Sequence, residues 1–408
     1  MFNFNQSAEI HGLQTVDECA KIIPTSVGKL SGENFPISYE SESYRETMGF
    51  SPWRFIILKL FSLLIILITV SFVHAAEPVK IEDVKISVPL INPLKGEKCV
   101  ISYNLSQDSP VTIKIYDENE QLVRTLIKNK KQRVGTNKEI WDGKDDNRKI
   151  LPSEVYTFTI EGQDFMYDPA SFSGGEQIRN LNATVRKEHP CSFSYTLPTS
   201  ARVRIRIGVK AGPLYRTLID WQPRPPGRHI ESWDGKDKTG KIDLASNPSC
   251  FVSVEAFSLP ENSIILEGIS RKQKEHKAYP IKQKENTRQV YEHALHPRYR
   301  CKDHEMQIIL PEAISFAEDG LLIVSGEVAL TIELDNEVIK WLKEENAEYL
   351  FYVNDKFISE EEQIFSPYTW KWDSTKYKDG KYLLTVNVRS FRDHCATDCI
   401  WVYVKNEN

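Results

Sequence analysis

The chain lacks the features by which the commoner enzyme classes announce themselves. Its 408 residues contain no glycine-rich phosphate loop, no nucleophile elbow and no HExxH helix. Charge of one sign is lacking too: 52 Lys+Arg oppose 57 Asp+Glu, a formal net charge of −5. That balance excludes a strongly basic nucleic-acid binder and an acidic disordered tail. With 19 Gly and 21 Pro the chain is neither collagen-like nor of low complexity. Hydrophobic residues make up 40% of an otherwise ordinary globular composition, and the length accommodates two to four domains at roughly 100 to 200 residues each.

One long apolar run stands out. Leu60 to Val73 reads LFSLLIILITVSFV, preceded by Arg54 and Lys59 and followed by His74, Ala75, Ala76 and Glu77. At fourteen residues it is short for a membrane span, which needs about 20. Val73 and Ala75 supply the small residues of a signal-peptidase site, so cleavage after Ala75 is expected, with Met48 as the start. The competing reading keeps Met1 and treats residues 55–73 as an uncleaved signal anchor, with Lys59 snorkelling to the interface. Either reading exports everything after Glu77. Besides Cys19 there are six cysteines, Cys99, Cys191, Cys250, Cys301, Cys395 and Cys399, an even number that suits an oxidising compartment.

The body of the chain repeats itself at an offset of 92 residues: CVISYNL from Cys99 matches CSFSYTL from Cys191, LVRTLI from Leu122 matches LYRTLI from Leu214, and WDGKDDN from Trp141 matches WDGKDKT from Trp233. Three blocks in register imply two copies of one domain. Within each copy the apolar residues alternate. Val111, Ile113 and Ile115 in the first and Val203, Ile205 and Ile207 in the second mark half-buried strands, which puts Arg204 and Arg206 on the solvent face. About seven short strands separated by turns predict an antiparallel sandwich. Asp142-Gly143 and Asp234-Gly235 provide the turn after each Trp strand.

On these residues, an apolar Tyr-Leu strand, V-x-I-x-I, L-x-R-T-L, W-D-G-K-D and a last aromatic strand, the two copies resemble the immunoglobulin-like domain of flagellar hook-capping proteins. The likeness spans roughly 84–162 and 182–257. It implies the fold and not the flagellar role, because the hook-capping N-terminal segment has no counterpart here and a cleaved signal is foreign to it. Between Ser270 and Arg300 nine Lys+Arg meet three Glu with few aliphatics, as in a solvated linker. Alternation returns from Met306, interrupted by one helix at DNEVIKWLKEENA from Asp335. The block SPYTWKWDSTKYKDGKYLLTVNV from Ser366 resembles a second bacterial immunoglobulin-like type.

The expected architecture is therefore all-β, three Ig-like antiparallel β-sandwiches in series after an N-terminal hydrophobic signal or anchor segment. The expected spans are 1–47 (disordered or untranslated), 48–75 (signal or anchor), 84–166 and 176–268 (repeats), 269–302 (basic linker) and 303–408 (C-terminal sandwich). Trp141 and Trp233 occupy one repeat position and are expected to be core markers. Tyr368, Trp370 and Trp372 share one strand face, either as core or as an aromatic strip for a glycan. Asp142, Asp145, Asp146 and Asn147, echoed by Asp234 and Asp237, lack calcium-loop spacing and are expected to form turns. Disulfide candidates are Cys191 with Cys250 and Cys395 with Cys399. A less favoured alternative gathers Cys301, His304, His394, Cys395 and Cys399 around a structural zinc. No catalytic residue and no cofactor is expected. The chain reads as a non-enzymatic binding, adhesion or scaffold protein of the bacterial envelope, exported to periplasm, surface or medium. Its expected partners are a protein or extracellular glycan and no nucleic acid, with membrane contact only through residues 55–73 if these are uncleaved.

Overall fold

In a computed structural model, residues 77–173, 175–179, 181, 183–187, 191–269, 303–310, 315–391 and 394–406 are described. The signal or anchor segment and the basic linker lie outside these residues. Among them no helix is long and apolar enough to cross a membrane.

The first repeat supplies β1 (Ile81–Ile86), β2 (Leu90–Ile91), β3 (Cys99–Leu105), β4 (Ser109–Tyr116), β5 (Leu122–Gln132), β6 (Gly135–Trp141), β7 (Val155–Glu161) and β8 (Met166–Tyr167). The second supplies β9 (Thr184–Arg186), β10 (Cys191–Leu197), β11 (Ala201–Val209), β12 (Leu214–Arg224), β13 (Gly227–Trp233), β14 (Cys250–Ser258) and β15 (Ser263–Leu266). After them come β16 (Asp303–His304), β17 (Met306–Ile309), β18 (Leu322–Val324), β19 (Glu327–Leu334), β20 (Glu348–Val353), β21 (Lys356–Glu361), β22 (Tyr368–Asp373), β23 (Gly380–Arg389) and β24 (Cys395–Val404). The helix α1 (Asn336–Glu344) sits where the sequence places it, with Ile339 and Leu342 buried.

Three sandwiches result. In the first, sheet β1-β3-β6 faces sheet β2-β15-β7-β4-β5; in the second, β13-β10-β9 faces β12-β11-β14; in the third, β17-β19-β22 faces β16-β24-β23-β20-β21, with β18 added beside β24. Alternation does the sorting. Cys99, Ile101, Tyr103 and Leu105 of β3 are buried, and Cys191, Phe193, Tyr195 and Leu197 of β10 repeat the pattern.

The geometry explains why the three repeated blocks travel together. The Tyr-Leu strand pairs in full with the Trp strand, Cys99 opposite Trp141 and Cys191 opposite Trp233. Each Trp is buried and its indole N–H donates to the lysine carbonyl of the loop that follows, Trp141 to Lys144 at 3.1 Å and Trp233 to Lys236 at 2.8 Å. The arginine of L-x-R-T-L reaches across to the same loop: Arg124 donates to the Asp145 carbonyl at 2.8 Å, and Arg216 to Asp234 Oδ1 at 2.7 Å and the Lys236 carbonyl at 3.0 Å. Gly143 makes this turn with φ 71°, and a Cβ there would lie 2.3 Å from Pro93 Cγ.

The expected second span, 176–268, ends in a strand that belongs elsewhere. After β14 the chain returns to the first sandwich, where β15 runs antiparallel to β7 and parallel to β2. Ile264 and Leu266 are buried in the first sandwich's core. The first two modules are thus interlocked by sheet pairing.

Candidate binding cleft and module junctions

The β11 arginines correct the expectation of a solvent face. Arg202, Arg204 and Arg206 alternate with the core residues Val203, Ile205 and Ile207, as expected for a strand. All three are nevertheless buried, at 1%, 2% and 8% exposure. An interior guanidinium needs partners, since desolvating a charge is expensive. Arg202 meets Glu154 at 2.7 Å and Glu118 at 3.8 Å, both contributed by the first module and both nearly buried. Arg204 pairs with Glu255 and lies over the Trp221 ring, 4.6 Å from its centroid. Arg206 pairs with Asp303 at 2.5 Å, at the start of the third module. One strand therefore carries a cationic row whose ends are tied into different modules.

The second and third modules also meet through backbone recognition. Asn387 accepts from Leu214 N at 2.8 Å and donates to Leu214 O at 2.9 Å, and Thr397 donates to the same carbonyl at 2.7 Å. The Tyr215 hydroxyl donates to Asp355 Oδ1 at 2.5 Å. Leu383 and Trp401 of the third module pack into the core of the second. Gly212 permits the closest approach, because a Cβ there would come 2.8 Å from the Asp355 carbonyl oxygen.

Beside this contact the outer sheet faces of the two modules diverge and leave a cleft of about 610 Å³, within the range of ligand sites and at an interdomain position such sites favour. Arg206 and Glu255 form part of one wall, and Glu348, Leu350, Tyr352 and Arg389 part of the other. Phe251 and Phe391 also line it, although they are 55% and 86% exposed. Burial raises the Glu348 carboxyl above its usual range, as do Glu360 and Glu362, while Arg389 works against them.

The aromatic strip is core. Trp370 and Trp372 are 6% and 2% exposed, Phe351 stacks on Trp370 at 4.5 Å and Tyr349 on Tyr368 at 5.0 Å. The strip faces the opposite sheet, so the glycan reading of Tyr368, Trp370 and Trp372 is withdrawn.

The cysteine expectations change as well. Cys395 and Cys399 lie on the single strand β24, where four residues of extended chain span about 13 Å, well past the Cα separation of about 7 Å that a disulfide tolerates. Cys191 and Cys250 line one core from facing sheets. Only part of the zinc set comes together: His304, His394 and Cys395 adjoin one another where β16 pairs with β24. The His304 and His394 rings stack at 5.6 Å, with His394 Nε2 3.5 Å from Glu345. Cys399 instead turns toward Asp237 of the second module, and Cys301 lies outside the described residues. Among the described residues no three histidine, cysteine or carboxylate groups are placed to hold a metal. Burial, reinforced by Asp237 and Asp398, pushes the Cys399 thiol up to about 12, far from nucleophilic range.

The aspartates of the repeated loops are turn formers. Asp145 Oδ1 accepts from Lys149 N at 2.8 Å, and Asp237 accepts from Thr239 N at 3.0 Å and Ile242 N at 2.8 Å.

These features define a chain of tandem immunoglobulin-like sandwiches. The FlgD Ig-like domain family matches residues 90–164, which lie in the first module. No curated protein matches the chain. Similar solved structures include fibronectin(III)-like modules of Clostridium thermocellum CbhA, at 12% identity over 58% of this chain and 88% of that one, with a TM-score of 0.19. A tetra-tandem repeat from the extending region of a large adhesion protein is 12% identical over 80% of this chain and 75% of that one, with a TM-score of 0.18. The fold assignment rests on the sheets described above and on the family match.

Proposed function

We propose that the protein is a non-enzymatic, exported scaffold or adhesion arm of the bacterial envelope, in which three sandwiches hold a fixed relation and present surfaces formed where they meet. The observation that carries this reading is the interlocking of the modules. Strand β15 returns to the first sandwich, Arg202 joins the first and second modules through Glu154, and Arg206 and Asn387 join the second and third. A flexible string of independent domains has no use for such junctions, because linked domains move relative to one another by default unless their contacts are extensive. The apolar segment before Ala76 supports export, and the absence of enzyme signatures in the sequence supports a role in binding.

The test combines location with shape. Protein recovered from fractionated cells is measured for intact mass and by small-angle scattering. Recovery outside the cytoplasm with the scattering of one rigid body supports the proposal. Cytoplasmic recovery, or the scattering of an ensemble of loosely tethered domains, overturns it.

A further inference from the structure

The second module brings two cysteines to one end of its sandwich. Strand β10 begins at Cys191, opposite Trp233, and β14 begins at Cys250, opposite Val209 at the end of β11. The chain turns from β10 into β11 through Pro198, Thr199 and Ser200, so β11 ends, and β14 starts, where β10 starts. Both cysteines belong to one core, Cys191 fully buried and Cys250 at its margin. Lys187 touches both: its carbonyl oxygen lies 3.0 Å from Cys191 Sγ, and its Nζ donates to the Cys250 carbonyl at 3.2 Å. The first repeat shows where a side chain at the second position reaches. Strand register sets Ile113 opposite Ile160 in one copy and Ile205 opposite Val254 in the other, so Cys250 occupies the position of Tyr156. Tyr156 crosses the core to pack edge-on against Trp141 at 5.6 Å, and Trp141 stands opposite Cys99, the counterpart of Cys191. The second repeat puts a cysteine where the first aims a tyrosine at that strand end.

We infer that Cys191 and Cys250 form an inter-sheet disulfide in the second module, made outside the cytoplasm by exchange with the disulfide of a dithiol oxidase or of a small thiol. The Cys250 thiolate, at the margin of the core, attacks one sulfur of the oxidant's disulfide. That bond breaks, the departing sulfur takes up a proton, and a mixed disulfide forms. Cys191 then attacks the Cys250 sulfur, which closes the inter-sheet bond and releases the oxidant's second sulfur as a thiol. Two protein thiols lose two electrons and two protons, and the oxidant's disulfide gains them. Burial holds the Cys250 thiol above its ordinary range against the pull of Lys187, and Cys191 adds to the rise as a like charge placed nearby does. The bond fastens the end of the sandwich that meets the third module. Asn247 accepts from Cys250 N at 3.0 Å and donates to Asp355 Oδ2 at 3.2 Å. Formation of the bond in cells rests on the export reading, because such bonds persist in oxidising compartments.

The test takes the full chain from fractionated cells, alkylates it in denaturant without reductant and identifies its cysteine peptides by mass spectrometry. A second sample is first reduced, freed of reductant and exposed to oxidised glutathione. The expected result in both is a peptide pair joining Cys191 to Cys250, lighter by two hydrogen atoms than the separate peptides. Cys99, whose facing position holds Tyr156, should be alkylated in both. Reductant should lower the thermal midpoint of the wild type by about 5 to 10 °C and leave that of Cys250→Ser unmoved. The peptide map needs no variant and reads the pairing even where Cys250→Ser fails to fold. Both thiols alkylated after oxidised glutathione, or either one joined to a different cysteine, overturns the pairing and leaves the export reading standing. Both thiols free in protein recovered outside the cytoplasm, or an equal response of Cys250→Ser to reductant, overturns the bridge too. A pair that glutathione links in protein recovered only from the cytoplasm overturns the export reading, and with it the bond's formation in cells, while the pairing stands.

Discussion

The two repeats bury the same residues and differ in what they turn outward. In the middle strand Val111, Ile113 and Ile115 correspond to Val203, Ile205 and Ile207, and all six are fully buried. Between them Pro110, Thr112 and Lys114 of the first repeat become Arg202, Arg204 and Arg206 of the second. The acid on the last strand is kept, Glu161 opposite Thr112 and Glu255 opposite Arg204. In the first module Lys114 bonds Glu161 at 2.8 Å with both side chains about 30% exposed, whereas the second module's three arginines are buried and two of them pair with residues of neighbouring modules. The inward face specifies the sandwich and the outward face specifies the assembly, so a duplicated domain acquires partners by changing one face of one strand.

The comparison is broken most severely at Arg202. Arg202→Ala leaves Glu118 and Glu154 buried without their cation, a defect of about 3 to 5 kcal/mol. The expected outcome is a large drop in denaturant midpoint, with hydrogen exchange rising first along β7, β11 and β15. Arg202→Met combined with Glu154→Leu should recover much of the loss. A single variant that unfolds like the wild type would remove the arginine row from the account of the junction.

Next in size is Ile264→Ala, expected to cost about 2 to 5 kcal/mol as a large-to-small change in a packed core. Its value lies in where the damage appears. Ile264 follows the second repeat in sequence but packs in the first module, so protection should fall in Ile81–Tyr167 more than in Cys191–Trp233. The reverse distribution would show that β15 belongs to the repeat it follows. Lys114→Ala, the counterpart of an Arg206 substitution, should cost no more than about 1 kcal/mol, because a partly exposed ion pair contributes little. A larger loss in thermal unfolding would make the outer faces of the two repeats equivalent.

Much of this was legible in the sequence. Alternation and the 92-residue repeat locate the strands, the turn aspartates and the buried tryptophans, because burial on one sheet face leaves a period of two. The same alternation misplaces Arg204 and Arg206: it separates the two faces of a strand but says nothing about whether a second domain covers the outer one. Three arginines in A-R-V-R-I-R-I, where the first copy has Pro, Thr and Lys, were the available signal. The strip Tyr368, Trp370 and Trp372 presents the complementary ambiguity, resolved only by the sheet across from it. Strand β15 could not be assigned from pattern, since SIIL is three apolar residues in a row after a serine, without alternation, and pairs with a strand about a hundred residues earlier. The cleft arises between modules, and its residues come from strands of both, β11, β12 and β14 of one and β20, β23 and β24 of the other, and from the loops beside them, which no local motif connects.

The smallest effect sharpens the comparison at a site the repeats share in position. Tyr103, Gln132 and Glu139 of the first module correspond to Tyr195, Arg224 and Glu231 of the second. Gln132 donates to Glu139 at 2.7 Å, while Glu231 accepts from Arg224 at 2.9 Å and from the Tyr195 hydroxyl at 2.9 Å. Burial opposes ionisation of Glu231, but Arg224, the tyrosine bond and His229 outweigh it and hold the carboxyl below its usual value. The folded state therefore binds fewer protons than the unfolded chain as pH falls below the ordinary glutamate range of about 4.3. The stabilisation is present above that range and is lost as pH drops through the lowered folded value. Arg224→Gln gives the second module the first module's chemistry and should flatten this acid limb, measured as unfolding free energy between about pH 2.5 and 6, while Gln132→Arg should steepen it. An acid limb unchanged by both substitutions would mean that the arginine does not set the carboxylate's affinity for protons.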